Sequence, residues 1–245
     1  MRTTPLVRIE RVRKEFGGIV AVEELTLDVD SGEVVALVGD NGAGKSTVVK
    51  CIAGVYPPTS GQIVLEGEPV NFASPLDARS QGIEAIFQDL ALANAQPVYM
   101  NMFLGRELVK GPLRRLDRET MAAETQTLLD ELDVRIDSPR KTIRHLSGGQ
   151  RQGVAIARAV RWAQRLVLMD EPTAALGVAE TRRVEELIRR MRDRGRAILI
   201  VSHSLDQVFR LSDRICVLRH GKQVGIRRTS ETTGDEIVAM ITGLR

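Results

Sequence analysis

One short stretch constrains this chain more than any other: Gly39-Asp40-Asn41-Gly42-Ala43-Gly44-Lys45-Ser46-Thr47. It fits G-x-x-x-x-G-K-[ST] at every fixed position, a pattern that carries meaning only between a strand and a helix. That context is present. The apolar run Glu33-Val34-Val35-Ala36-Leu37-Val38 precedes it, and a helical pattern follows through Ile52. Glycines let such a loop close around a phosphate with its N–H groups turned inward. The following helix contributes its positive N-terminal end. Lys45 can set a point charge against the outer phosphates, and the Ser46 hydroxyl can ligate Mg2+. The stretch therefore marks a nucleoside-triphosphate site rather than a chance glycine-rich turn.

Composition limits what that site can serve. The chain has 245 residues, enough for one large domain or a domain with subdomains. Hydrophobic content of 43% and charged content of 27% suit a soluble globular protein. A net charge of +3 argues neither for nor against a nucleic-acid partner, and with 3% aromatics single-strand stacking platforms are not expected. Cys51 and Cys216 lie far apart among apolar neighbours and read as buried free thiols, which suits a reducing compartment. Met1-Arg2-Thr3-Thr4-Pro5 leads straight into a strand pattern, so no signal peptide is expected. No apolar run approaches the ~20 residues that span a bilayer. Any membrane-spanning part must belong to another chain.

Along the chain, residues 6–16 and 22–30 alternate as strands around Gly17-Gly18, an antiparallel sheet leading into the phosphate-loop strand. Residues 62–66 form a further short strand. Ser74-Pro75 opens a helix that ends at Gly82, and residues 83–87 form a strand that stops at Gln88. Residues 97–146 change character and read as an inserted helical subdomain. Met100, Met102, Phe103 and Leu104 form an apolar cluster there, Gly111-Pro112 breaks two helices, and an amphipathic helix covers 118–132. The α/β pattern then resumes: strand 166–169, helix 178–194, strand 197–201, a hairpin around His220-Gly221-Lys222 and a last helix over 234–241. The Arg-rich run from Arg189 to Arg196 reads as a solvated helix end rather than a nucleic-acid or lipid patch.

Two further motifs accompany the loop. Leu166-Val167-Leu168-Met169-Asp170-Glu171-Pro172 is an apolar strand ending in two carboxylates. The first is placed to hold Mg2+ and the second to polarise an attacking water. Leu146-Ser147-Gly148-Gly149-Gln150 is a second glycine-rich turn feeding a helix, hence a second anion site or simply a capped helix start.

Residues 39–47, Gln88, Leu146 to Gln150, Asp170-Glu171 and His203, taken in that order, resemble an ABC-transporter nucleotide-binding domain over essentially the whole chain. The resemblance implies an α/β fold. Its parts are a RecA-like P-loop NTPase core with an antiparallel β subdomain over about 1–96 and 147–245, and an inserted α-helical subdomain over 97–146. It implies that Gln88 contacts Mg2+ or the lytic water and senses the membrane partner. By the same resemblance His203 lies near the γ-phosphate, and Phe16 stacks on adenine; from the residues alone, His203 reads rather as a satisfied surface or core histidine, and Phe16 as easily as core. The wording of four segments is closer still to ATPases of ribose, xylose and fructose importers: 39–47, 88–92, 103–107 and Glu171-Pro172-Thr173-Ala174-Ala175-Leu176-Gly177-Val178. Gly177 stands where most ABC proteins carry aspartate, which leaves the usual cross-subunit contact of that loop in doubt.

The implied protein is an ATPase subunit on the cytoplasmic face of the bacterial inner membrane. It hydrolyses ATP with Mg2+ and pairs with a second copy of itself. Each ATP would lie between residues 39–47 (with Lys45, Ser46 and Asp170) of one copy and Ser147, Gly148, Gly149 and Gln150 of the other. Glu171 serves as general base, with His203, Gln88 and Lys45 in the catalytic group; Ser46, Gln88 and Asp170 form the metal set. Partners are an integral membrane permease and, indirectly, a periplasmic sugar-binding protein; nucleic acid is not expected. Rival readings are an ABC subunit for another cargo such as branched-chain amino acids, an ABC ATPase acting on nucleic acid or ribosomes, and a non-hydrolysing regulator.

Overall fold

Strands buried on both faces should be short, apolar and β-branched, and this chain builds its centre from such runs. The computed structural model describes residues 4–174 and 176–243; Ala175, inside the segment that resembles sugar-importer ATPases, lies outside them, as do Met1, Arg2 and Thr3. In chain order, β1 (Val7–Phe16) and β2 (Ile19–Val29) form an antiparallel hairpin, and β3 (Val34–Val38) leads into α1 (Lys45–Ile52). Next come β4 (Ser60–Leu65), β5 (Glu68–Val70), α2 (Pro75–Ser80) and β6 (Ile83–Ile86). The middle section holds α3 (Val98–Met102), β7 (Val109–Lys110), β8 (Arg115–Leu116) and α4 (Arg118–Glu131). The remainder is α5 (Gly148–Trp162), β9 (Leu166–Asp170), α6 (Val178–Asp193), β10 (Ala197–Val201), α7 (Leu205–Leu211), β11 (Arg214–Arg219), β12 (Lys222–Arg228) and α8 (Gly234–Thr242).

A ten-stranded sheet runs β5-β4-β1-β2-β12-β11-β3-β10-β9-β6. Strands β11, β3, β10, β9 and β6 are mutually parallel, and β5, β4, β1 and β2 are antiparallel. Side chains of the parallel strands alternate between two apolar layers, as the period of a strand requires. Val34, Ala36, Val38, Val167, Met169, Ile198 and Ile200 face the layer that also buries Met102, Phe103, Ile156 and Ile188. Val35, Leu37, Leu166, Leu168, Leu199 and Val201 face the other layer, with Val48, Val49 and Ile52 of α1 and Leu25 and Leu27 of β2. The loop-bearing helix is thus held between the parallel strands and the antiparallel ones.

The middle section departs from expectation in two places. Gly111-Pro112 does not simply separate helices; it lies between β7 and β8, which pair as a small antiparallel ribbon. Strands of two residues each carry no readable period. Leu104 does not join the apolar cluster: Met102 and Phe103 are fully buried, whereas Leu104 is 51% exposed. Helix α7, which sequence patterning leaves unassigned, starts at Ser204, whose hydroxyl accepts from the backbone N–H of Gln207 at 3.3 Å. The Arg-rich run is engaged on the surface, as expected of a solvated helix end. Arg190 and Arg196 donate to the carbonyls of Glu131 and Gln164, and Arg194 lies 3.8 Å from the Glu131 carboxylate. Cys51 and Cys216 are buried free thiols; burial pushes Cys51 up to about 11 and Cys216 to about 12.

Candidate active site

The parallel ladders align four strand ends. Val201 of β10 pairs with Leu37 of β3 and with Asp170 of β9, and Ile86 of β6 pairs with Met169. The phosphate loop, the Asp170-Glu171 pair, His203 and Gln88 therefore all emerge from the carboxyl edge of one sheet. In open α/β sheets, ligands bind outside that edge.

Loop geometry follows from its glycines. Gly39, Gly42 and Gly44 all have positive φ, at 151°, 80° and 99°. A Cβ on Gly39 would lie 2.1 Å from the carbonyl oxygen of Leu218, and one on Gly44 would lie 2.4 Å from that of Ala21. These two glycines let the loop sit against β11 and β2, which only a residue without a side chain permits. We expect Gly39→Ala to lower stability by about 1–3 kcal/mol through overpacking, read as a fall in denaturation midpoint; an unchanged midpoint would show that the β11 backbone gives way.

Gly44 caps α1 without any side-chain acceptor, so the first N–H groups of that helix remain available to an anion. Asp40 accepts from the Ala43 N–H at 3.1 Å through its carbonyl and tightens the turn. Lys45 is buried, and its ammonium donates to the carbonyls of Gly39 and Asp40, both at 2.8 Å. Burial lowers its pKa, while Glu171, Asp170 and Asp40 act to raise it. The ammonium is therefore anchored on the loop and surrounded by carboxylates, a position suited to a polyanion.

Asp170 is buried at the end of β9, and its Oδ1 has no hydrogen-bond partner among the described residues. Burial is the main cause that pushes its carboxyl above the ordinary range. The Ser46 hydroxyl pulls the other way, Glu171 adds to the rise, and Lys50 and Lys45 oppose it. A buried carboxylate oxygen without a partner, beside a serine hydroxyl, is the kind of donor set that holds a divalent cation together with phosphate oxygens. Glu171 follows with φ of 54°, a left-handed conformation uncommon for a residue with a side chain, and its N–H donates to the Val201 carbonyl at 3.0 Å. That turn aims its carboxylate at the loop after β10, where its Oε1 meets the Nε2 of His203.

The remaining expected residues are not joined to this group by hydrogen bonds or ion pairs among the described residues. Gln88 is exposed just past the end of β6. Phe16 ends β1, 41% exposed, with the ring of Tyr56 edge-on at 5.1 Å and the Lys14 ammonium 4.9 Å from its centroid. Neither neighbour of Phe16 is legible in the sequence: Tyr56 precedes Pro57-Pro58 in a loop without periodicity, and Lys14 is one of many cations. Ser147 caps α5 in a reciprocal box. Its hydroxyl accepts from the Gln150 backbone N–H at 3.2 Å, and the side-chain Oε1 of Gln150 accepts from the Ser147 N–H at 3.0 Å. Gly148 has open space where a Cβ would stand, and Gly149 is filled by Glu180, whose Cγ lies 2.3 Å from a Cβ built there. The Glu180 carboxylate likewise lies 2.7 Å from a Cβ built on Gly177, so one acidic side chain occupies the room that both glycines leave.

A glycine-rich loop at the head of a parallel sheet, with an acidic strand end two strands away, is the architecture of a P-loop nucleoside triphosphatase. Comparison with known proteins narrows the class. The family model described as ABC transporter matches residues 22–174. A xylose/arabinose import ATP-binding protein of Sulfolobus acidocaldarius is 46% identical over 237 residues, covering 97% of this chain and 94% of that protein. A fructose import ATP-binding protein of Rhizobium meliloti is 42% identical over 251 residues, covering 100% and 96%. A ribose import ATP-binding protein of Yersinia pestis is 42% identical over 243 residues, 99% of this chain but 47% of that longer protein. Among solved structures, a nucleotide-free ATP-binding cassette from an ABC transporter superposes with TM-score 0.83 at 24% identity, covering 98% of this chain and 96% of that one. The chain belongs to the ABC transporter family. No helix among the described residues is long and apolar enough to cross a membrane.

Proposed function

We propose that this chain binds and hydrolyses ATP to drive uptake of a monosaccharide through a separate integral membrane permease. The ATPase half rests on one observation: the buried, partnerless Asp170 oxygen and the Glu171–His203 pair share the sheet edge from which the phosphate loop emerges. The cargo half rests on relatives aligned over nearly the whole chain and named for xylose/arabinose, fructose and ribose import.

In this reading Lys45 and the N–H groups of residues 39–47 hold the phosphates, and Phe16 stacks on the base. Ser46, Asp170 and Gln88 would hold Mg2+, which there would offset phosphate charge. Glu171 takes the proton from the attacking water, and His203, touching its carboxylate, keeps that group oriented. Ser147 to Gln150 have no hydrogen bond or ion pair to their own chain's phosphate loop among the described residues, which supports completion of the site by a second copy. ATP then favours the closed pair as far as it binds that state better than the open one. Residues 97–146 act as a helical subdomain that, with Gln88, passes closure to the permease. The working place is the cytoplasmic face of the inner membrane, with a periplasmic sugar-binding protein opposite.

The test is purification of the tagged chain with its membrane fraction, followed by reconstitution with the co-purifying permease. We expect ATPase activity stimulated by a binding protein loaded with a pentose or hexose. Recovery of ribosomes or DNA in place of a permease would overturn the transport reading, and stimulation only by amino-acid-loaded binding proteins would overturn the cargo.

A further inference from the structure

The loop that bears Gln88 is held from outside itself. Its only internal side-chain tie among the described residues is the Asp89 carboxylate, which accepts from the Ala91 N–H at 3.1 Å, and Ala91 sits at φ 47°. Across from it, Arg158 reaches over from α5. One guanidinium nitrogen donates to the Ala91 carbonyl and the other to the Leu90 carbonyl, both at 2.9 Å. Two consecutive carbonyls gripped by one planar fork fix both position and orientation of a backbone segment. A surface loop would ordinarily leave such carbonyls to water.

Arg158 is desolvated to do this. Burial lowers its pKa, the nearby Arg79 lowers it further, and Glu84 opposes both. Glu84 is buried on β6, just ahead of the loop, with Arg106 at 3.2 Å and Arg79 at 3.6 Å. The same end of α5 holds the middle section: Trp162 donates through Nε1 to the Met102 carbonyl at 2.8 Å, and Arg106 lies 4.7 Å from the Trp162 ring. Helix α5 begins at the Ser147 cap, about three turns earlier. A displacement of α5 relative to β6 therefore cannot leave the Gln88 loop behind.

We infer that Arg158 is a positioning residue for Gln88, coupling the loop that carries it to the helix that begins at Ser147. The inference rests on the reading that Gln88 acts in ATP hydrolysis. Lysine at 158 would keep the charge but lose the fork; glutamine would keep a neutral donor on a shorter side chain.

The experiment is a double-mutant cycle of Arg158→Lys, Gln88→Ala and both together, with kcat and KM for ATP and hydrogen exchange of residues 89–93. Arg158→Gln serves as a second variant should the lysine form fail to fold. We expect Arg158→Lys to lower kcat about tenfold, as for loss of a charge-assisted bond, with KM for ATP changed less than about twofold. Exchange of 89–93 should rise, and the double variant should be no slower than Gln88→Ala alone. Losses that multiply in the double variant, or a parental kcat with Arg158→Lys, overturn the coupling alone. A parental kcat with Gln88→Ala overturns the reading of Gln88 and the coupling with it.

Discussion

Glu171→Gln should hydrolyse ATP roughly 10²–10⁴-fold more slowly than the parent, the usual contribution of a positioned general base, while still binding ATP. The substitution is nearly isosteric. A glutamine carbonyl oxygen can take the place of Oε1 against the Nε2 of His203 and so keep the turn at Glu171 with its φ of 54°. What it removes is the ability to accept a proton from water. Because the proposed phosphate contacts lie elsewhere, at Lys45 and the α1 N-terminus, affinity should change little. Single-turnover hydrolysis and a nucleotide titration read the two quantities separately. A parental rate would remove Glu171 from the role of base; a parallel loss of rate and affinity would mean that the turn had collapsed.

Lys45→Ala should weaken ATP binding about 10–100-fold, which corresponds to loss of a hydrogen bond to a charged group worth ~1.5–3 kcal/mol. The ammonium donates to the Gly39 and Asp40 carbonyls of its own loop, which holds it oriented and buried at the head of α1. Alanine loses both the point charge and that pre-organisation. The fold should tolerate the change, because the loop is seated by the approach of Gly39 to Leu218 and of Gly44 to Ala21 rather than by Lys45. Titration calorimetry with ATP decides it: unchanged affinity would place the phosphates away from Lys45.

The local chemistry of the site was legible because it is encoded within single turns. Residues 39–47 bring their own strand and helix, and residues 166–171 form an apolar run that ends in carboxylates. Buried parallel strands are readable for the same reason, being continuous apolar runs. The Ser147 turn shows the limit of that reading. Its sequence allowed either an anion site or a plain cap; within one chain it is a reciprocal cap, and Glu180 fills the space beside Gly149. The doubt raised by Gly177 is likewise structural: the residue three positions onward brings a carboxylate to that place. Leu104 reads as core because its neighbours are, yet it lies in the turn after α3 and faces outward.

By itself the sequence determined the kind of loop, the acidic strand end and the family likeness, all of which depend on residues close together along the chain. The tertiary structure decided which of these groups meet. Strand β10 is inserted between β3 and β9, and its ladders align Leu37, Asp170 and Val201 so that Glu171 touches His203. Arg158 finds Leu90 and Ala91 only because α5 packs over β6. The strand-end contacts depend on hydrogen-bonded register between segments distant in sequence, where a shift of one residue would turn each side chain to the opposite face, and the Arg158 contact depends on helix-on-sheet packing.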